Sequence, residues 1–341
     1  MTSVDAARYR RLRDLVHAAA DVATASRRAF LEGRAPDDPS LVTEALAELA
    51  AADVDTTGVA PPGRPAVAPG LAVGDTVDRY RLVAELGRGG MGVVFEAVPL
   101  EGGPAVALKA MHPALAADDA SRTRFLREAA VGFAVESPHV VRVHGTGEAT
   151  VAGAHVPYLV MERVVGRTLR ETLDADGPLP QARLLDVARQ AARALAAVHA
   201  AGVVHRDLKP ENLLWTDEGT LRLLDLGVVR LDGEARLTRE GQFVGSLRYA
   251  SPEQCAGRDV GPTSDLYALG VVLFELATGH PPFQGPGALA TIRQHLETPP
   301  PRLLDRAPSL APAFAAIVDR LLEKDPAARF PSAEALERAL G

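Results

Sequence analysis

The string His205-Arg206-Asp207-Leu208-Lys209-Pro210-Glu211-Asn212 sets a carboxylate, an ammonium and an amide at the spacing that phosphoryl transfer to a hydroxyl requires. Asp207 can accept the hydroxyl proton, Lys209 can neutralise charge on the moving phosphoryl group, and Asn212 can hold a magnesium ion. Alone, such a string could be a solvated turn. Its weight comes from partner motifs that stand in order on both sides of it.

Upstream, Leu86-Gly87-Arg88-Gly89-Gly90-Met91-Gly92-Val93-Val94 fits G-x-G-x-x-G-x-V. Glycines let backbone N–H groups approach phosphate oxygens with no Cβ in the way. Dinucleotide-binding loops share the first six positions, but they follow a strand and open a helix. Here residues 80–86 and 92–97 both read as strands, so a hairpin folding over a nucleotide is favoured. No G-x-x-x-x-G-K-[ST] string occurs, which argues against a P-loop nucleotidase.

The next apolar run, Ala105-Val106-Ala107-Leu108, ends on Lys109. An isolated strand-end lysine would snorkel to water. Following a glycine loop at this interval, Lys109 is better read as the contact to the α- and β-phosphates. That charge needs an orienting anion. Glu128 lies on the next helical segment; the competitor, Glu136, sits beside Ser137-Pro138, where a helix should already be ending. Downstream, Leu223-Leu224-Asp225-Leu226-Gly227 supplies a second carboxylate after a short apolar strand, able to bridge magnesium to the β- and γ-phosphates. Gly245-Ser246-Leu247-Arg248-Tyr249 and Ser251-Pro252-Glu253 then close a segment about as long as a kinase activation loop.

With these motifs in order, residues of about 76–341 resemble a eukaryotic-type (Hanks-type) protein serine/threonine kinase, a bacterial-like member with a helical N-terminal extension. The resemblance implies an α+β, two-lobed fold: a small antiparallel β-sheet lobe over about 76–161 and a mostly helical large lobe over about 162–341, with ATP in the cleft between them. It also implies Asp207 as catalytic base, Asn212 and Asp225 as metal ligands, and Lys109–Glu128 as the ion pair of the active state. Met161 resembles the gatekeeper, followed by hinge residues Glu162, Arg163 and Val164, with Val94, Ala107 and Leu214 as apolar walls of the adenine pocket. Asp265 resembles the buried helix aspartate under the catalytic loop, and Glu253–Arg329 the structural ion pair of the large lobe.

Lys209-Pro210-Glu211 resembles serine/threonine rather than tyrosine kinases. Small-molecule phosphotransferases share the architecture but usually lack an activation segment ending in Pro-Glu. ATP, Mg2+ (with Mn2+ able to replace it) and protein substrates with Ser or Thr acceptors are therefore the implied ligands. A pseudokinase, a kinase-shaped scaffold that binds without transferring, is the alternative. Such proteins commonly lack the strand lysine or one of the acidic groups, and Lys109, Asp207, Asn212 and Asp225 are all present.

Four departures from the family pattern stand out. Leu226 replaces a phenylalanine, Ser251 an alanine and Ser246 a threonine, and none of these removes a catalytic group. Relatives often carry two activation-loop threonines separated by one residue; Thr238-Arg239-Glu240 keeps the first and has glutamate at the second. Arg206 marks a kinase whose loop is usually ordered by a phosphate. Glu240 is either a partial stand-in for that phosphate or a solvated loop residue; Thr238 is the expected site of autophosphorylation.

The 341 residues exceed one average domain, and 47% hydrophobic content is ample for a core. A net charge of −7 and a pI near 5.8 make no case for nucleic-acid binding. The single cysteine, Cys255, excludes an internal disulfide and suits a reducing compartment. The run from Leu266 to Phe274 is cut by Glu275 and reads as core rather than a membrane span, and the first residues lack signal-peptide order. A cytoplasmic protein is expected. No sensor domain follows Gly341, so a stimulus is expected to act through the N-terminal segment, another protein or phosphorylation.

The elements expected to position these residues are strands at about 79–87, 92–99 and 104–110, a helix over 121–135, and a strand pair near 140–146 and 156–162. Helical spacing of Leu184, Leu185, Ala188, Ala191, Ala192, Leu195, Ala196 and Val198 predicts a long helix leading to His205, with later helices at 264–279, 286–297, 311–323 and 332–340. Residues 1–53 read as a helical extension: a helix from 5 to 25, a short one over 27–32, and one opened by Asp38 as cap and Pro39 as first residue. So few residues make a marginal core alone, so this module is expected to pack on the kinase, on its own copy or on a partner protein. Residues 54–75, rich in Pro, Gly and Ala, read as a linker.

Overall fold

A computed structural model describes residues 15, 19, 27–36, 38–43, 45–46, 71–89, 92–116, 118–151, 154–225, 247–285 and 287–341. Gly90 and Met91, Leu226 and Gly227, Thr238, Glu240, Gly245 and Ser246 lie outside them, as do most of residues 1–26 and 47–70. The described chain divides into two units, one with the residues between 15 and 46 and one with those from 71 on.

In the first unit, helix α1 spans Arg27–Arg34 and residues 39–43 and 45–46 are also helical. Asp38 accepts from the Leu41 N–H at 3.0 Å and from Ser40 Oγ at 2.6 Å, the capping role expected of it. Leu31, Leu41, Val42 and Ala45 are buried.

The second unit starts with alternating strands. Strands β1 (Thr76–Val77), β2 (Tyr80–Gly89), β3 (Gly92–Pro99), β4 (Val106–Met111), β5 (Val143–Val151) and β6 (Ala154–Glu162) form one antiparallel sheet in the order β1-β2-β3-β4-β6-β5. Period-two alternation assigns its faces. On β4, Leu108 and Ala110 enter the small-lobe core with Phe95, Phe125 and Val160, while Ala107 and Lys109 point to the other side. Helix α2 (Pro113–Ala116) and helix α3 (Asp119–Ala134) follow, α3 burying Phe125 and Ala129.

The strand expected from about 140 begins instead at Val143. The reason is tertiary: Val140 and Val141 are engaged by the large lobe, where Val141 N–H donates to Leu223 O at 2.9 Å and Leu223 N–H to His139 O at 2.8 Å. The segment between α3 and β5 is thereby anchored to Leu223 of the large lobe.

The large lobe comprises α4 (Leu169–Asp176), α5 (Gln181–Ala200), α6 (Pro252–Cys255), α7 (Pro262–Thr278), α8 (Ala288–Glu297), α9 (Leu303–Arg306), α10 (Pro312–Leu321) and α11 (Ala333–Leu340). A three-stranded sheet, β7 (Arg167–Thr168), β8 (Leu213–Trp215) and β9 (Leu221–Leu223), lies at its cleft side. Helix α7 is apolar all round and buried from Ser264 to Ala277, the signature of a central core helix. The apolar side of α5, Leu184, Ala188, Ala191, Leu195 and Val198, packs in the same cluster. Among the described residues no helix is long and apolar enough to cross a membrane.

Helix α4 was not anticipated. It is opened by a capping box: Glu171 N–H donates to Thr168 Oγ1 at 3.1 Å and Thr168 N–H to Glu171 Oε2 at 2.8 Å.

Candidate active site

The catalytic string forms a loop hung on α7. Asp265, 1% exposed near the start of that helix, accepts from His205 N–H (2.8 Å) and Arg206 N–H (2.8 Å), and contacts His199 Nε2 (2.7 Å). A buried carboxylate with this many partners is well compensated, and the bonds it accepts are strong. His199 was not singled out in the sequence; its partner lies 66 residues away.

Arg206 has φ 66°, a left-handed conformation that costs a non-glycine residue on the order of 1 kcal/mol. Such a turn persists only where surrounding bonds over-determine it. Beyond it, Asp207 N–H donates to His205 Nδ1 at 3.3 Å. That leaves the His205 proton on Nε2, which donates to the Asp225 carbonyl. One imidazole thus joins the loop carrying Asp207 to the strand end carrying Asp225.

Asp207 Oδ2 lies 2.7 Å from Lys209 Nζ. Asn212 sits on the short 3-10 turn Pro210–Asn212, where its Nδ2 donates to Asp207 O at 2.9 Å and its carbonyl accepts Leu224 N–H at 2.9 Å. With the amide nitrogen so engaged, Oδ1 of Asn212 has no hydrogen bond among the described residues and is open to a cation. Glu211 turns away to Arg170 Nε at 3.1 Å, and Arg170 continues to Tyr249 Oη and Glu275 at 2.7 and 2.9 Å.

Across the cleft, Lys109 is buried on β4 and donates to both oxygens of Asp225 at 3.1 and 3.0 Å. Glu128 falls on α3, but its side chain lies outside the described residues. Glu136 follows the end of that helix, exposed and without an ion pair among the described residues.

The described glycines of the string lie on the paired strands β2 and β3, with Gly89 opposite Gly92 and bulges after Leu82 and Glu85. Gly92 is sterically required: a Cβ there would lie 1.9 Å from the Ala110 carbonyl of β4. Leu86 is half exposed, Gly87 and Gly89 have open space where a side chain would be, and Arg88 pairs with Glu85 at 2.6 Å on the surface.

Ala107, Val141 and Met161 form a small apolar cluster joined by Val94, Val164 and Leu224. It lies where β4, β6 and the segment after β6 meet, with Met161 opposite Ala107 in register. Val141 and Leu224 are members that sequence reading did not single out. Leu214 is buried on β8 beside Gly166. The hinge is braced on both sides: Glu162 pairs with Arg222 of β9, and Arg163 Nε with Glu96 of β3 at 3.2 Å.

Further from the cleft, Arg329 is 1% exposed and donates to both oxygens of Glu253 at 2.7 and 2.9 Å. Ser264 Oγ adds a bond to Glu253 Oε1 at 2.5 Å. Burial alone would push the Glu253 carboxyl up, and the Arg329 and Ser264 bonds outweigh it, holding the group below the usual carboxylate value.

The second unit thus sets a hairpin over a buried lysine, a small apolar cluster behind a braced hinge and a carboxylate loop on a central helix. The chain belongs to the protein kinase domain family, which it matches over residues 80–340. It is 39% identical over 262 residues to a probable serine/threonine-protein kinase of Corynebacterium efficiens, covering 75% of this chain and 40% of that one. To the serine/threonine-protein kinase PknA of Mycobacterium tuberculosis it is also 39% identical, over 74% of this chain and 58% of that one. It thus spans about half the length of these curated relatives. The crystal structure of the Mycobacterium tuberculosis PknI kinase domain superposes with a TM-score of 0.62 at 30% identity, covering 80% of this chain and 98% of that one.

Proposed function

We propose that this chain transfers the γ-phosphoryl group of ATP to serine and threonine hydroxyls of proteins. The observation that carries the reading is the Asp207 carboxylate, 2.7 Å from Lys209 Nζ on a loop that faces the Lys109–Asp225 pair. Asp207 takes the proton of the acceptor hydroxyl as its oxygen bonds to Pγ, and the Pγ–O bond to the β-phosphate breaks to release ADP. Lys209 balances the charge gathering at Pγ. Lys109 leaves part of its contact with Asp225 to meet the α- and β-phosphates, with Glu128 as its orienting anion. Asn212 Oδ1 and the Asp225 carboxylate would hold Mg2+ or Mn2+, hard oxygen donors in the small number that such an ion takes beside phosphates, and the ion neutralises phosphate charge. Val94, Ala107, Met161, Val164 and Leu214 would enclose the adenine, and the backbone of Glu162 and Val164 would bond its edge.

The relatives' names point to serine and threonine as acceptors, and Lys209-Pro210-Glu211 agrees. Activation-loop autophosphorylation is assigned to Thr238, with Arg206 reading the phosphate and Glu240 supplying part of that charge in its absence. Residues 1–53 are assigned to self-association or a partner protein, tethered by the linker 54–75. Incubating the protein with magnesium and ATP, then measuring intact mass and mapping sites, tests this. Added phosphates on Ser or Thr, including Thr238, are expected; phosphate only on tyrosine, or none on the chain or on Ser/Thr peptides, would overturn it.

A further inference from the structure

The Arg206–Asp207 peptide is the backbone unit that aims the Asp207 carboxylate, and it is held from both sides. Its N–H side is the bond from Asp207 to His205 Nδ1. Its carbonyl side is held by a residue from outside the loop: Gln254 Nε2 donates to Arg206 O at 2.9 Å, across 48 residues of sequence. Gln254 is the third residue of α6, at the close of the activation segment. Its other end is fixed as well. Oε1 accepts Ser251 N–H at 3.0 Å, while Gln254 N–H donates to Ser251 Oγ at 3.3 Å, a reciprocal capping box. Ser251 is fully buried, so this anchor does not drift.

We propose that Gln254 is a positioning residue for phosphoryl transfer: its side-chain amide bridges the end of the activation segment to Arg206 O and so fixes the plane that carries Asp207. The inference rests on the reading of Asp207 as base. The neutral amide meets both demands at once, an acceptor toward Ser251 N–H and a donor toward Arg206 O. Asp265 holds the preceding peptide through Arg206 N–H, so without Gln254 the strained Arg206 turn would be held at its amide and released at its carbonyl. A peptide rotation there displaces the base, and displacement on the scale of 1 Å costs up to about 100-fold in rate.

The test compares Gln254→Glu and Gln254→Met with the wild-type chain, and with Asp207→Asn. Gln254→Glu keeps the shape and the acceptor for Ser251 but turns an anionic oxygen on Arg206 O. The expected result is a kcat lower by about tenfold or more with KM for ATP within about twofold. The ratio of variant to wild-type kcat should rise as pH is lowered from about 7 toward about 5, where the carboxyl begins to protonate and regains the donor. Unchanged kcat in both variants, or a fall matched by lost nucleotide affinity and melting temperature, would overturn the positioning role. A crystal structure of Gln254→Met decides the geometry without any activity: the account expects the Arg206–Asp207 peptide to rotate, and unchanged ψ at Arg206 and φ at Asp207 contradict it. Wild-type protein as inert as Asp207→Asn would sink the kinase reading itself, a separate outcome from failure of the clamp.

Discussion

The two walls of the cleft are built differently. The large-lobe wall is over-determined: Asp265, itself bonded by His199, and His205, Asn212 and Gln254 all bond the loop around Asp207. The small-lobe wall offers a hairpin open to solvent at Gly87 and Gly89 and the buried Lys109, which reaches Asp225 of the opposite wall. On the reading proposed above, the base sits on the wall where bonds are dense and the phosphate contacts on the wall where they are few. Preorganised charge is worth most where charge develops in the transition state, which is the side on which bonds are concentrated.

Substitutions can break this contrast. At the small-lobe wall the largest effect on activity is expected from Lys109→Met, which should lower kcat/KM for ATP by about 10²–10³-fold with little change in melting temperature. The largest effects on stability belong to the other lobe. Arg329→Met leaves the Glu253 carboxylate buried without its partner, and should cost about 3–5 kcal/mol in urea unfolding. Asp265→Asn turns one acceptor into a donor facing backbone N–H groups; a loss of about 2 kcal/mol is expected, together with reduced kcat.

Acid should separate the lobes further. The Glu253 carboxyl is held below its unfolded value, so its stabilisation is present above about 4.5 and lost as pH falls through the folded value. His295, buried and beside Lys324, is pushed down from 6.5 to about 3. Its lowered folded value has the same sign, with stability present above 6.5 and lost as pH falls toward 3. Urea midpoints measured against pH should therefore decline below about pH 6.5, and His295→Gln should flatten the upper part of that decline. At the small end, Arg88→Ala removes an exposed partner of Glu85 and should leave stability unchanged within error.

Much of this was legible before the structure. The motifs name the loop, the hairpin and the strand lysine, and the apolar period of Leu184 to Val198 announces helix α5. Helix α4 escaped because Leu169 and Leu173 give only one turn of periodicity, although Thr168 and Glu171 spell its cap. The start of β5 could not be read from Val140 and Val141, which look like strand residues but form only an isolated bridge and a backbone bond to Leu223 of the other lobe. His199 and Gln254 illustrate the same limit. A histidine in an alanine-rich helix and a glutamine in a capping box have adequate local explanations, and their reach to Asp265 and Arg206 exists only in three dimensions.

The most direct test of the account is phosphoryl transfer to Ser/Thr peptides measured beside nucleotide affinity, on wild-type protein and Asp207→Asn. A prebuilt base predicts that Asn loses about 10²–10⁴-fold in kcat while ATP affinity stays within about twofold. Equal transfer by both proteins would contradict the assignment of Asp207, and with it the division of labour between the two walls.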